Sequence, residues 1–191
     1  MCGIAGIWNY AGGTPAEHRV QSMLRAMRHR GPDGQGLHRF VGGACGMVRL
    51  ALVDLSPRGN QPMWSPCGRI AVVFNGEIYN FREERSRLES RGYAFHSTTD
   101  TEVLLALYQE HGLECVNYLR GMFAAAFFDW RESGLDQPPT VTLLRSPMGI
   151  KPLYVSEVGT GSQKTLVFAS ELRALLASGL VSSRVSQAAL R

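Results

Sequence analysis

The sequence predicts an α+β fold, and three observations carry that prediction. Segments of strand-like character come in runs on either side of a helical block, whereas strict alternation would point to a parallel sheet with crossover helices. The 191 residues include 21 Gly and 9 Pro, a density of turn formers that suits a sheet-rich or mixed chain. With 45% apolar and 19% charged residues, the chain has the composition of one globular domain with a sizeable core.

Each element follows in order. Residues 2–10 alternate small and apolar groups, as a buried strand does. Thr14-Pro15-Ala16-Glu17 has the pattern of a helix start, with a Thr cap, Pro in the first turn and Glu three residues after the cap. Val20, Met23, Leu24 and Met27 follow at helical spacing, and His29 to Gly34 form a turn. Residues 36–53 read as a hairpin turning at Gly42-Gly43, and 69–74 as a buried strand. That strand is expected to stop at Asn75-Gly76, a pair able to take left-handed backbone angles. Asn80 can cap a short helix ending at Gly92. Thr99-Asp100-Thr101-Glu102 is a capping box for a helix continuing through Val103 to Tyr108. Leu113, Val116 and Leu119 mark a second short helix. Met122–Trp130, Thr140–Arg145, Leu153–Val155 and Thr165–Ala169 read as strands. Ser170 can cap a last helix ending near Gly179. Residues 1–180 are expected to form the domain, and the polar, small-residue-rich stretch 181–191 to begin a linker.

Composition also excludes function classes. The net charge is only +4, and the densest basic cluster is Arg25, Arg28, His29 and Arg30, so nucleic acid is a poor partner. No apolar run has the length of a membrane span. The N-terminal run is broken by Gly3, Gly6 and Asn9 and lacks a basic flank, unlike a signal peptide. The cysteines at 2, 45, 67 and 115 have no C-x-x-C spacing, which argues against zinc and against a redox motif. Cys45 and Cys115 read as buried small hydrophobes and Cys67 as a turn residue, so a reducing, cytoplasmic setting is expected. No pattern suggests a metal or a cofactor.

The chemistry-bearing candidates lie elsewhere. With Met1 removed, Cys2 carries a thiol and a free α-amine, whose ordinary pKa of about 7.7–8.0 leaves a neutral fraction able to take the thiol proton. Taken alone, Cys2 reads as no more than the second residue of a chain. Asn75 and Gly76 could supply an amide and a backbone N–H to an oxyanion, or could simply form a turn. Arg49, inside the apolar stretch Val48 to Val53, could hold a carboxylate or sit in a structural ion pair. Asp100 could meet an ammonium or serve the helix dipole, and Glu77 is a second acid beside the Asn-Gly pair.

Together these residues spell a known pattern. The motifs are Met-Cys-Gly-Ile-Ala-Gly-Ile at 1–7, His-Arg-Gly-Pro-Asp at 29–33, Arg49-Leu50 with Val53-Asp54-Leu55-Ser56, and Gln61-Pro62-Met63. Asn-Gly-Glu-Ile-Tyr-Asn follows at 75–80, Asp-Thr-Glu-Val at 100–103 and Gly-Met-Phe-Ala at 121–124. Gly149-Ile150-Lys151-Pro152-Leu153-Tyr154 and Ala169-Ser170-Glu171-Leu172 close the set. The chain resembles the class II glutamine amidotransferase domain of the asparagine synthetase family.

The resemblance implies an N-terminal-nucleophile hydrolase fold, with two stacked antiparallel sheets between helical layers. It implies that Cys2 attacks the glutamine side-chain amide and that Asn75 and Gly76 form the oxyanion hole. Arg49 would hold the substrate carboxylate. The stretch Leu50, Leu52 and Val53, with Glu77 and Asp100, would hold the rest of the substrate. It implies no cofactor for this domain, with ATP and Mg used only by a synthetase domain, and no Ser-Gly-Gly-x-Asp-Ser pyrophosphate motif occurs among these residues. The expected product is ammonia, passed to a synthetase domain or subunit for amidation of aspartate. Alternatives are a non-catalytic docking domain or ammonia supply to a different acid. Two departures from the family stand out. Met47 and Val48 precede Arg49 where polar residues are usual, and Arg145-Ser146-Pro147 stands where Arg-Asp is usual. The second is expected to bear on coupling to a synthetase more than on glutamine cleavage.

Overall fold

The computed structural model describes residues 1–13, 17–52 and 54–184. Nine strands and four helices occur among them. In chain order they are β1 (Gly3–Asn9), α1 (Glu17–Ala26), β2 (Gly34–Phe40), β3 (Gly43–Arg49), β4 (Met63–Trp64) and β5 (Ile70–Ile78). Then come α2 (Phe81–Ser90), α3 (Asp100–His111), β6 (Gly121–Asp129), β7 (Thr140–Arg145), β8 (Tyr154–Val158), β9 (Thr165–Ala169) and α4 (Leu172–Ala177). The strands make two antiparallel sheets, ordered β2-β3-β1-β9-β8 and β4-β5-β6-β7.

Period-two alternation gives each sheet two apolar faces, and three clusters of buried side chains fill the spaces that result. Val20, Met23 and Leu24 of α1, with Ala174 and Leu175 of α4, cover the outer face of the first sheet at Ala5, Ile7, Ala44, Val48 and Val167. Leu88 of α2 and Val103, Leu104 and Leu107 of α3 cover the outer face of the second at Val72, Phe74, Ile78, Ala125 and Phe127. Between the sheets lie Ile4, Cys45, Met47, Ala71, Val73, Ala124, Ala126, Phe128 and Phe168. The result is the four-layer αββα sandwich of an α+β domain.

Several local expectations are corrected. The strand expected to end at residue 74 continues through Ile78, and neither Asn75 nor Gly76 takes a positive φ. Gly76 is needed for close approach, since a Cβ there would stand 2.4 Å from the Met122 carbonyl oxygen on β6. The hairpin of β2 and β3 does turn at the glycines, with Gly42 at φ 85°, but β3 ends at Arg49 rather than at 53. Asn80 caps no helix with its side chain. Its amide instead donates to the Tyr118 carbonyl at 2.8 Å and accepts from the Arg120 N–H at 2.9 Å. Ser170 likewise caps nothing, because its Oγ accepts the Ile4 N–H at 3.0 Å and pins the N-terminal strand.

Thr99 does accept the Glu102 N–H, at 3.2 Å. The Glu102 carboxylate, however, takes the N–H groups of His96 and Ser97 rather than that of Thr99. The second short helix is a 3-10 segment, Gly112–Tyr118, and the strand expected at 153–155 runs Tyr154–Val158. Cys45 and Cys115 are fully buried and Cys67 is exposed in a turn, as their surroundings predict. The expected cap at Thr14 to Ala16 lies outside the described residues, as does most of the expected linker. Leu180 and Val181 still pack against the first outer cluster.

Candidate active site

The alternation that builds the inter-sheet layer also delivers the candidate residues. On β1 the inward row runs Trp8, Gly6, Ile4 and then Cys2, which packs against the inter-sheet cluster just before the strand begins. On β3 it runs Cys45, Met47 and then Arg49, and on β5 it runs Ala71, Val73 and then Asn75. Three residues far apart in sequence are thus the last members of three parallel rows, at one end of the sandwich. A cavity of about 320 Å³ opens there. Its wall includes Cys2, Arg49, Leu50, Leu52, Asn75, Gly76, Glu77 and Asp100. Every expected site residue within the described chain lies on this one wall; Val53 lies outside the described residues.

Cys2 is half-buried. Its Sγ receives the Leu50 N–H at 3.4 Å and lies 3.6 Å from the Leu50 carbonyl oxygen. The Cys2 carbonyl accepts from Arg30 Nε at 2.8 Å, and Arg30 Nη1 is in turn 3.0 Å from Glu171 Oε1. Arg30 and Glu171 belong to recognised motifs but gave no sequence signal of this role, because their partner is a main-chain atom.

The donors opposite Cys2 follow from the ladder of β5. Trp130 N–H bonds the Arg69 carbonyl and Tyr79 N–H bonds the Arg120 carbonyl, so odd-numbered residues of this stretch point their backbone groups at β6. Even-numbered residues point the other way, and β4 covers that edge only at Ala71 and Val72. Beyond β4, the Phe74 N–H is taken by Gln61 Oε1 at 2.6 Å and the Ile78 N–H by Asp100 Oδ2 at 2.9 Å. The Gly76 N–H lies between these two and faces the cavity edge. Beside it, the Asn75 side-chain Nδ2 is buried and has no hydrogen-bond partner. A buried amide donor without a partner is costly in a folded chain unless something else is to bind it.

Gln61 is a site residue that sequence reading overlooked. It is buried, lines the cavity, and also donates through Nε2 to Thr101 Oγ1 at 3.2 Å. The only hint was its place in the Gln61-Pro62-Met63 motif.

The charges are arranged at the rim and floor. Arg49 is buried and has no carboxylate partner among the described residues. It donates to the Ser56 carbonyl and to Asn60 Oδ1, each at 2.8 Å, and to the Asp54 carbonyl. The ion-pair alternative for Arg49 therefore gives way to a guanidinium that organises the 54–60 loop beside the cavity. Burial pushes the Asp100 carboxyl above its usual range. The Glu77 charge adds to that effect, while hydrogen bonds from the Ile78 and Thr101 N–H groups oppose it. The lining of the cavity therefore carries a cation, a pair of acids, a thiol and two unpaired N–H donors. That arrangement can bind an amino acid by its two charged ends and stabilise an anionic tetrahedral centre.

The unusual Ser146 is buried and bonds both backbone groups of Phe123, the residue across from Gly76. Its N–H reaches the Phe123 carbonyl at 2.9 Å, and its Oγ takes the Phe123 N–H at 3.1 Å.

Comparison with known proteins identifies the family. The glutamine amidotransferase domain family model matches residues 1–191. An asparagine synthetase (glutamine-hydrolyzing) of Arabidopsis thaliana is 39% identical over 176 residues, which cover 92% of this chain and 28% of that protein. One from Bacillus subtilis is 36% identical over 179 residues, covering 92% of this chain and 27% of that protein. The chain therefore spans under a third of the length of these curated relatives. Among solved structures, glutamine phosphoribosylpyrophosphate amidotransferase from B. subtilis superposes with a TM-score of 0.72. It is 23% identical and covers 93% of this chain and 44% of its own, a likeness of fold. The chain belongs to the glutamine amidotransferase domain family.

Proposed function

We propose that this domain hydrolyses the side-chain amide of glutamine through Cys2 and supplies the ammonia to an asparagine synthetase-type amidation. One observation carries the reading. The Cys2 thiol, the Gly76 N–H and the unpartnered Asn75 amide line one cavity, between a cation and two acids.

In this reading Met1 is removed and the freed α-amine of Cys2 takes the thiol proton. The thiolate attacks the amide carbon and a C–S bond forms. The carbonyl oxygen becomes an oxyanion that accepts hydrogen bonds from Asn75 Nδ2 and the Gly76 N–H. Collapse breaks the C–N bond, and the proton held by the amine passes to the departing nitrogen as ammonia leaves. Water then cleaves the thioester, giving glutamate and restoring the thiol. Arg49 receives the substrate carboxylate, and Asp100 and Glu77 face its ammonium. Leu50 and Leu52 form the adjoining wall. The acceptor of the ammonia is a synthetase domain or subunit, which the full-length relatives' names support. A cytoplasmic setting fits four cysteines without disulfides, and no helix among the described residues is long and apolar enough to cross a membrane.

The test is glutamate release from glutamine by protein whose intact mass shows Met1 removed. Turnover is expected, and Cys2→Ala should abolish it while calorimetry still detects glutamine binding and the melting curve is kept. Processed protein that binds no glutamine and releases no glutamate would sink the reading.

A further inference from the structure

Lys151 is buried, at 7% exposure, and lines the active-site cavity. A buried ammonium normally finds a carboxylate. Among the described residues none lies within ion-pair distance of it. The hydrogen-bond partner of its Nζ is the Met1 thioether, at 3.0 Å. That thioether belongs to the residue bonded to the Cys2 nitrogen, so covalent geometry keeps Nζ within about 9 Å of that nitrogen. Removal of Met1 deletes the partner and leaves the ammonium facing the space beside the new α-amine.

The position of Lys151 is fixed by its loop. Its carbonyl accepts from Arg145 Nε at 3.0 Å, and Arg145 Nη2 reaches the Gly149 carbonyl at 2.6 Å. The Gly149 N–H closes on the Ser146 carbonyl at 2.9 Å, and Ser146 is clamped to Phe123 of β6. The loop is thus tied to the strand that lies alongside Gly76, and the lysine stem cannot readily swing away.

We propose that the Lys151 ammonium is the group that keeps the Cys2 α-amine uncharged after Met1 is removed, and so tunes the built-in base. The inference rests on the reading of Cys2 as a nucleophile that uses its own amine. Like charges in one pocket disfavour each other's charged forms. The other charged groups around the amine are less suited to this task. Arg30, at the Cys2 carbonyl, is paired with Glu171. Arg49, whose donors are directed at the Asp54, Ser56 and Asn60 oxygens, meets the substrate carboxylate in the proposed reading. Asp54, Glu77 and Asp100 on the cavity wall act in the opposite direction, favouring a protonated amine. Lys151 offsets them and has no anion of its own. It is a positioning and tuning residue, since it touches no reacting atom.

The experiment is the pH profile of kcat/KM for glutamine hydrolysis by processed protein, in the unmutated chain, Lys151→Met and Lys151→Arg. The amine must be neutral to act, so its pKa sets the acid limb. Coulomb's law across a wet pocket at this separation gives a shift of about 0.5–1.5 pH units. Lys151→Met should move the acid limb upward by that amount, lowering the rate about three- to thirtyfold near pH 6.5 and leaving it unchanged near pH 9. Lys151→Arg should restore the original limb. A Lys151→Met profile that superimposes on the unmutated one, or that drops equally at every pH, overturns the proposal.

Should Lys151→Met fail to fold, NMR titration of the Cys2 amine in the unmutated protein decides. A midpoint below the ordinary value of about 7.7 supports the proposal, and one at or above it refutes it. Absence of glutaminase activity in the unmutated, processed protein is a separate outcome, which refutes the proposed function rather than the role of Lys151.

Discussion

The two ends of the inter-sheet layer are built by neighbouring strands of the same two sheets to opposite specifications. At one end the inward rows finish in rings. Trp64 stacks on Trp130 with centroids 5.4 Å apart, Phe40 meets Phe128 at 5.1 Å and Trp130 at 5.6 Å, and His38 stands edge-on to Trp64 at 4.7 Å. At the other end the rows of β1, β3 and β5 finish in Cys2, Arg49 and Asn75, with small Ala124 across from Asn75 and a cavity between. The layer changes from aromatic at one end to polar at the other. A sandwich needs one end filled to hold its sheets together. It can then leave the other end open, with unpaired donors, without losing its register.

The comparison breaks first if the aromatic end is emptied. Trp130 is 1% exposed, and its indole N–H also reaches the Gln137 carbonyl at 3.2 Å. Trp130→Ala should cost about 3–5 kcal/mol by chemical denaturation. Glutamine turnover per folded molecule should be unchanged, because Trp130 does not line the cavity. A large fall in turnover of molecules still folded would show that the ends are coupled.

The converse applies at the open end. Asn75→Ala removes a donor that has no partner in the free protein, so folding should lose little. The oxyanion should lose much, and kcat is expected to fall about 10²–10³-fold. Denaturation curves and initial rates on the same preparation separate the two. A variant that unfolds readily yet turns over normally would make Asn75 a structural residue and the comparison false.

How much of this was legible in the sequence differs between the ends in the same way. Periodicity gave the strands and helices, since burial on one face leaves a repeat in the chain, whereas of the expected caps among the described residues only Thr99 holds. Cys2, Arg49, Asn75, Gly76 and Asp100 were each ambiguous alone and became readable through their motifs. What could not be read depends on main-chain atoms. The Asn75-Gly76 pair looks like a turn, and only the pairing with β6 shows that Gly76 is small because the Met122 carbonyl passes 2.4 Å from where its Cβ would be. Ser170 looks like a helix cap, but its Oγ accepts the Ile4 N–H, 166 positions away in the chain. Gln61 and Lys151 give no periodic signal, because their partners are a strand edge and a residue 150 positions away.

The smallest expected effect concerns what holds the open end in shape. Rings serve the closed end, whereas charge serves the open one. Glu171 joins Arg30, which holds the Cys2 carbonyl, and also meets His29 and Arg173. Burial opposes ionisation of Glu171, but hydrogen bonds from Arg173, Arg30 and His29 outweigh it and lower its pKa from 4.5 to about 2. A carboxyl whose folded pKa is depressed stabilises the fold above its unfolded pKa, and that stability is lost as pH falls through the folded one. The window here is between about 4.5 and 2.

Glu171→Gln keeps the shape and removes the charge. After allowance for solvent screening, it should cost about 1 kcal/mol at neutral pH and nothing below the window. The difference between the two stability curves is the quantity to measure. Asp54, held at about 2 by hydrogen bonds from Ser56 and Thr98, contributes the same acid loss to both proteins and cancels. Asp100, shifted the other way by burial, cancels as well. A difference that closes as pH falls from 4.5 assigns the open end to charge. One that is constant with pH would mean that Glu171 acts by packing, as the rings do at the other end.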